Sequence, residues 1–298
     1  MNFRCCELLA RCLRRHHARS QFDAVEKYIT NLSLLRINRF KIQKNIPLAE
    51  YTTFKIGGPA KYFFVAKNTQ DLIKAVEFAQ EKKLPFFILG GGSNLLISEQ
   101  GFAGLVVVVK SKQLIISNNK IIAEAGVKLS DLVKVSSQAG LTGLEWAINI
   151  PGTIGGAVKC QASAFGQNIS KIVKKIKKID KIILSVELVL KKGDKKKSQR
   201  LIKEYFKKRK DSQPLDYPSA GCVFKNPAGR FAGQLIEECG LKGKQIGQAM
   251  ISQKHANFII NLGNAQAKDV RKLIQLIKKS VNKNFKINLE EEIDYLGF

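Results

Sequence analysis

Short apolar runs closed by glycine, proline or asparagine alternate along this chain with stretches of helical period. Residues 62–65 and 85–89 read as buried strands, because each is a brief apolar run bounded by turn formers. Between them Asn68 can cap a helix, with Asp71 three residues on and Leu72, Ile73, Val76 and Ala79 along one face. The result is a βαβ-like unit within a small α/β domain. Residues 104–109, 114–117 and 121–125 read as further strands, the last two joined by Asn118 and Asn119, and 130–139 as a helix. Beyond Gly166 lysine crowds the pattern. Residues 181–190 alternate as a strand, 194–197 read as a turn, and 201–210 as a short basic helix. The proline-bearing loop 211–218 marks a domain boundary. After it come a helix carrying Leu235, Ile236 and Cys239, a strand at 257–261, and a long helix from Asp269 to about Phe285. Its Val270, Leu273, Ile274, Ile277, Val281 and Phe285 keep the helical period and are core. A last strand covers 293–296.

Two glycine-rich stretches interrupt this pattern. Gly90-Gly91-Gly92-Ser93-Asn94 follows the strand 85–89. Residues without a Cβ permit positive φ and close approach to a ligand, and successive amides turned inward make an anion site suited to a phosphate. Ser93 can add a hydroxyl and Asn94 an amide. The spacing is neither GxGxxG nor a P-loop, and a tight hairpin without ligand is the competing reading. The second stretch runs from Thr142 to Ala157 and includes Pro151-Gly152-Thr153-Ile154-Gly155-Gly156. Two such loops, each after an apolar segment, suggest one long ligand gripped along its backbone.

With 298 residues, 45% of them hydrophobic, the chain can build two or three ordinary globular domains, and no apolar run is long enough to cross a bilayer. The net charge of +27 would favour polyanions, but the lysines are spread along the whole chain together with frequent Ile and Asn, as in AT-rich genomes. No dedicated nucleic-acid surface or membrane partner is expected; an anionic substrate would still benefit. Six cysteines without a CxxC pair indicate a reducing compartment, and their spacing matches no zinc pattern. Residues 1–36, rich in arginine with Glu7 as the lone acid before Asp23, resemble a transit peptide in composition or a wrongly extended gene start.

The segments TTFKIGGPA (52–60), LGGGSNLLI (89–97), GLTGLEWAINIPGTIGGAV (140–158), SQPLDYPSAGCVFKNPAGRFAGQLIEECGLKG (212–243), SQKHANFIIN (252–261) and NLEEEIDYLG (288–297) together resemble the UDP-N-acetylenolpyruvoylglucosamine reductase family. The resemblance implies an α+β fold: an FAD-binding domain of the vanillyl-alcohol-oxidase (PCMH) type at 44–211, preceded by the basic extension 1–43, and a C-terminal α/β substrate-binding domain at 212–298. It implies a cytoplasmic enzyme of peptidoglycan precursor synthesis in which NADPH reduces FAD and hydride then passes to UDP-N-acetylglucosamine enolpyruvate. Cys222 takes the position of the family's proton donor, commonly serine, and Glu292 that of its second catalytic acid. Gly57, Gly58, Gly90, Gly91, Gly92, Ser93, Asn94, Glu145, Pro151, Gly152, Thr153, Gly155, Gly156 and His255 fall where the cofactor is held. Lys225, Asn226 and Arg209 fall where substrate is bound. Each has a plainer reading: Cys222 as a small buried apolar residue, Glu292 as one of a solvated acidic run, Arg209 on a solvated basic helix, His255 as structural.

The chain also departs from that family. The stretch from Phe165 to Arg209 is markedly short and lacks the Tyr-Arg pair whose arginine stabilises the enol intermediate, and the usual NAGAYG is replaced by Gln161-Ala162-Ser163-Ala164-Phe165-Gly166. Two alternatives follow: a member that binds flavin or RNA without turnover, and a related flavin oxidase with another substrate. The FKNP and KHANF segments speak against the second.

Overall fold

The computed structural model describes residues 41–298, so the readings for residues 1–36 lie outside the described residues. From Gln43 onward the chain is an α+β unit built on three four-stranded sheets. The first contains β1 (Gln43–Pro47), β2 (Pro59–Ala66), β3 (Phe86–Leu89) and β5 (Phe102–Val109), in the order β1-β2-β5-β3. Helix α1 (Thr69–Glu81) crosses from β2 to β3, and both strands pair in parallel with β5. This is the βαβ unit that the pattern predicts, with β5 inserted between its strands. Asn68 caps α1 by accepting from the Asp71 amide, and Leu72, Ala75, Val76 and Ala79 are its buried face. Between β3 and β5 lies the short β4 (Leu95–Ile97).

The second sheet is antiparallel and combines β6 (Leu114–Ser117), β7 (Lys120–Glu124), β8 (Val173–Ile179) and β9 (Ile182–Val189) in the order β8-β9-β7-β6. Helices α2 (Leu129–Gln138), α3 (Ile154–Lys159) and α4 (Lys195–Ser212) belong to this part of the chain, where Ile121, Leu132, Leu144, Trp146, Ile154, Val186 and Leu188 form a buried cluster. Two elements correct the sequence reading. Residues 194–197 are not a turn. Asp194 accepts from the Lys197 amide at 2.6 Å and caps an α4 that starts six residues before the expected 201. And 173–179, whose VKKIKKI has no two-residue alternation, is a strand on the sheet edge. Its residues from Lys174 on are exposed, so burial of one face does not impose that alternation. A two-residue turn, Asp180-Lys181, joins β8 to β9, with Asp180 at φ 50°.

The third sheet, β10-β13-β12-β11, joins β10 (Ser219–Cys222), β11 (Gln245–Ile246), β12 (Ala249–Ile251) and β13 (Phe258–Asn261). Helices α5 (Ala232–Glu238) and α6 (Ala267–Phe285) pack on it. Val270, Leu273, Ile274, Ile277 and Val281 of α6 are buried, as their spacing requires. Phe54, Ile56 and Leu96 enter the same cluster. Finally β14 (Asp294–Leu296) pairs in parallel with β4, which brings the last residues beside the first glycine loop. Among the described residues no helix is long and apolar enough to cross a membrane, and no group of His, Cys, Asp or Glu is placed to hold a metal ion.

Candidate active site

The two glycine stretches meet. A Cβ on Gly91 would lie 2.5 Å from Gly152 Cα, and one on Gly90 would lie 2.8 Å from Thr153 Oγ1. Only residues lacking that carbon let the loops approach so closely. The Ser93 hydroxyl closes the junction by donating to the Pro151 carbonyl at 2.9 Å, and Thr153 caps α3 by accepting from the Gly156 amide. Among the described residues, the amides of Gly91, Gly92 and Ser93 donate to no protein acceptor. Gly57, Gly58 and Gly155 answer to chain packing: added Cβ atoms would meet Ile97 Cβ, the Glu99 carbonyl and Ala125 Cβ at 3.0, 1.9 and 2.8 Å. Thr53 extends the junction, its amide donating to the Gly92 carbonyl at 3.0 Å and its hydroxyl to the Ser219 carbonyl of β10 at 2.7 Å.

Glu145 is only 6% exposed and its oxygens are engaged by the protein. The Thr142 and Ser198 hydroxyls donate to Oε1 and the Gly143 amide to Oε2, each at 2.7 Å. Burial alone would raise its pKa, but these hydrogen bonds outweigh that and lower it. The geometry gives Glu145 the task of pinning the start of α4 to the second loop. His255 lies just before β13. Its Nδ1 accepts from the Asn257 amide at 3.2 Å, its ring meets Phe258 edge-on at 4.9 Å, and burial lowers its pKa.

Cys222 ends β10, where a register irregularity and Gly221 at φ 78° turn the strand. Burial, and then the nearby charge of Glu292, push its thiol up to about 12, with Arg209 and an Asn257 hydrogen bond acting in the other direction. Asn257 was not singled out from the sequence. Its side chain accepts from the Phe224 amide at 2.9 Å and donates to the Phe224 carbonyl at 2.8 Å, so it grips the chain just past the thiol. Its place in the KHANF motif is the one signal that could have marked it.

Glu292 is joined to the same spot through its main chain: its amide donates to the Val223 carbonyl at 2.8 Å. The side chain opens to solvent, while crowding around the carboxyl raises its pKa and Lys225 pulls it back. Lys225 itself forms an exposed ion pair with Glu290. Asn226 spends its Oδ1 on the Ala232 amide at the start of α5, at 3.0 Å.

Arg209 is 6% exposed, which sets it apart from the solvated lysines of α4. Its guanidinium lies 5.3 Å from the centroid of Phe165 and donates from Nη1 to Gln213 at a long 3.4 Å, while its buried Nε has no partner. Burial lowers its pKa, and the neighbouring Cys222 opposes that shift. A buried cation with an unused donor beside a thiol and a solvent-open carboxylate is an arrangement for handling negative charge.

The FAD binding domain family matches residues 60–197, and UDP-N-acetylenolpyruvoylglucosamine reductase, C-terminal domain, matches residues 213–296. The reductase of that name from Caldanaerobacter subterraneus subsp. tengcongensis is 40% identical, covering 86% of this chain and 94% of its own. That from Caldicellulosiruptor bescii is 41% identical, covering 88% and 93%. The solved UDP-N-acetylenolpyruvylglucosamine reductase of Thermus caldophilus superposes with a TM-score of 0.74 at 34% identity, over 86% of this chain and 99% of that one. The first alignment runs over 284 residues, more than 86% of this chain supplies, so that relative carries residues without a counterpart here. By identity and coverage, this chain belongs to the UDP-N-acetylenolpyruvoylglucosamine reductase family.

Proposed function

We propose that this chain is an FAD-dependent, NADPH-consuming reductase that converts UDP-N-acetylglucosamine enolpyruvate to UDP-N-acetylmuramate, in the cytoplasm, for peptidoglycan precursor synthesis. One observation carries the reading. The thiol of Cys222 and the carboxylate of Glu292 are linked through the Val223–Glu292 hydrogen bond, and Asn94 ties that segment to the glycine cradle. The cradle suits FAD: unpaired amides at Gly91, Gly92 and Ser93 supply donors for a diphosphate, and the Gly91–Gly152 contact leaves the backbone bare. Pro151 and Thr153 hold the cradle's second wall. When bound, flavin accepts hydride from NADPH and supplies it to the enolpyruvyl double bond.

The chain's own residues manage the charge and the proton that follow. Hydride addition to the terminal carbon moves the π electrons onto the carbon bearing the carboxylate, giving an enolate. Arg209, buried and with a donor to spare, is the cation that meets it. Cys222, kept protonated by burial, gives its proton to that carbon, and the thiolate left behind regains a proton from water, with Glu292 as the solvent-facing acid on that route. Lys225 is available to the diphosphate, because an exposed pair such as Lys225–Glu290 is worth only about 0–1 kcal/mol and yields readily. Asn226 retains its NH2 group for the same ligand. Arg209 thus supplies the cationic charge that the shortened segment does not, and turnover is expected.

The purified protein should be yellow, bleach with NADPH and recover its colour on addition of the enolpyruvyl sugar nucleotide, but not of UDP-N-acetylglucosamine. A colourless protein, or one that NADPH bleaches and the enolpyruvyl sugar fails to reoxidise, refutes the proposal.

A further inference from the structure

Asn94 closes the first glycine loop, where an amide would be expected to face a ligand, yet its side-chain donor is spent on the protein. Nδ2 donates to the carbonyl of Glu292 at 2.9 Å, across 198 residues of sequence, and stands 3.9 Å from the Cys160 sulfur. The Asn94 carbonyl accepts from the Asp294 amide at 2.9 Å. Glu292 is therefore held at both ends of its own residue. Its amide goes to Val223, next to the thiol of Cys222, and its carbonyl to Asn94, next to the cradle. Behind it, Glu291 accepts from Lys278 at 2.7 Å and from the Tyr295 hydroxyl, and bridges to Phe224 through the main chain. With the backbone fixed in this way, the Cα–Cβ direction of Glu292 is set and only side-chain torsions remain free.

We propose that Asn94 is a positioning residue for Glu292, aiming its carboxylate at the Cys222 side of the cleft. The inference rests on the assignment of Glu292 as an acid of the reaction. The contact to a carbonyl uses the amide's donor specifically. Asn94→Asp keeps the shape but sets an acceptor against that carbonyl, and Asn94→Ser withdraws the reach.

The test uses holoenzyme, with rates normalised to bound flavin and stopped flow separating NADPH-driven bleaching from reoxidation by UDP-N-acetylglucosamine enolpyruvate. Both variants should slow reoxidation about a hundredfold, the scale of an ångström misplacement, and at least about tenfold more than they slow bleaching, while the KM for the sugar changes by less than about threefold. Asn94→Asp combined with Glu292→Gln should be no slower than Glu292→Gln alone, since nothing then remains to be positioned. In flavin-free protein, Asn94→Ser should speed exchange of the Glu292 amide about tenfold and leave that of Phe258 unchanged. Reoxidation within about threefold of wild type, losses that add in the double variant, unaltered exchange at Glu292, or bleaching slowed as much as reoxidation would each overturn the inference. If Glu292→Gln alone leaves reoxidation intact, the underlying assignment fails and takes the inference with it; if Glu292→Gln is slow and the Asn94 variants are fast, only the inference fails.

Discussion

Replacing Arg209 by methionine should separate what its guanidinium does for the fold from what it does for chemistry. In the folded protein the buried Nε without an acceptor costs about 1–3 kcal/mol, and the 3.4 Å bond to Gln213 returns only about 0.5 kcal/mol. Stacking over Phe165 at 5.3 Å contributes about 0.5–1 kcal/mol, because the ring is 42% exposed. Methionine fills much of the same volume and brings no unmet donor. These contributions nearly offset, so stability should stay within about 1 kcal/mol of wild type, a Tm change of no more than about 2–4 °C for a chain of this size. Reoxidation of flavin by the enolpyruvyl sugar should fall by about 10²–10³, the cost of removing one preorganised group from a developing oxyanion. Calorimetry gives the first quantity and stopped flow the second. A Tm lowered by more than about 8 °C together with the rate would make Arg209 an anchor of α4, and a rate within about tenfold of wild type would place the stabilising charge elsewhere.

Cys222→Ala should leave NADPH-driven bleaching intact and halt sugar reduction, with Cys222→Ser restoring a measurable rate; survival of both half-reactions in the alanine variant rejects the proton-donor role. The Cys222 thiol also carries a pH signature. Ionising near 9.0 when unfolded and near 12 when folded, it gives the folded state an extra proton between those values. Its stabilising contribution is complete below pH 9 and is lost as the pH climbs toward 12, so Cys222→Ser should flatten the alkaline fall in denaturant midpoint. Glu145 has the opposite sign, since its lowered pKa stabilises above 4.5 and that support declines as the solution is acidified; Glu145→Ala, which orphans Thr142, Ser198 and the Gly143 amide, should cost about 2–4 kcal/mol in urea unfolding at pH 7 and progressively less as the pH falls through the acid range. Asn257→Ala leaves the buried amide and carbonyl of Phe224 unpaired and should cost about 2–5 kcal/mol, seen as a lower thermal midpoint with weakened sugar reduction.

The elements that the sequence announces are those whose burial is one-sided. Helix α6 shows its period because Val270, Leu273, Ile274, Ile277 and Val281 are all buried, and β6–β7 shows its turn because Asn118 takes the left-handed conformation. The edge strand β8 is silent, since lysines exposed on both faces carry no period, and α4 is read short because Ser198 and Arg209 are its only fully buried positions. The cradle is legible for a related reason: glycines that permit contact between loops are local features of the chain. What cannot be read locally is the traffic between distant segments. Thr53 to Ser219, Asn94 to Glu292 and Glu145 to Ser198 are bonds between residues 166, 198 and 53 apart, and no short stretch of sequence encodes either end. The same blindness explains why Glu145 reads as a ligand contact, while in the fold it secures a helix start.

The parallel pairing of Asp294–Leu296 with Leu95–Ile97 bears on how the cradle is held. The first glycine loop runs directly into one strand of that pair, and the Asp294 amide at the head of the other donates to the Asn94 carbonyl at 2.9 Å, so the loop and the segment behind Glu292 share a single short seam. Loosening that three-residue seam would therefore disturb the glycine loop and the Glu292 backbone together, which couples retention of the nucleotide to the integrity of one small strand pair.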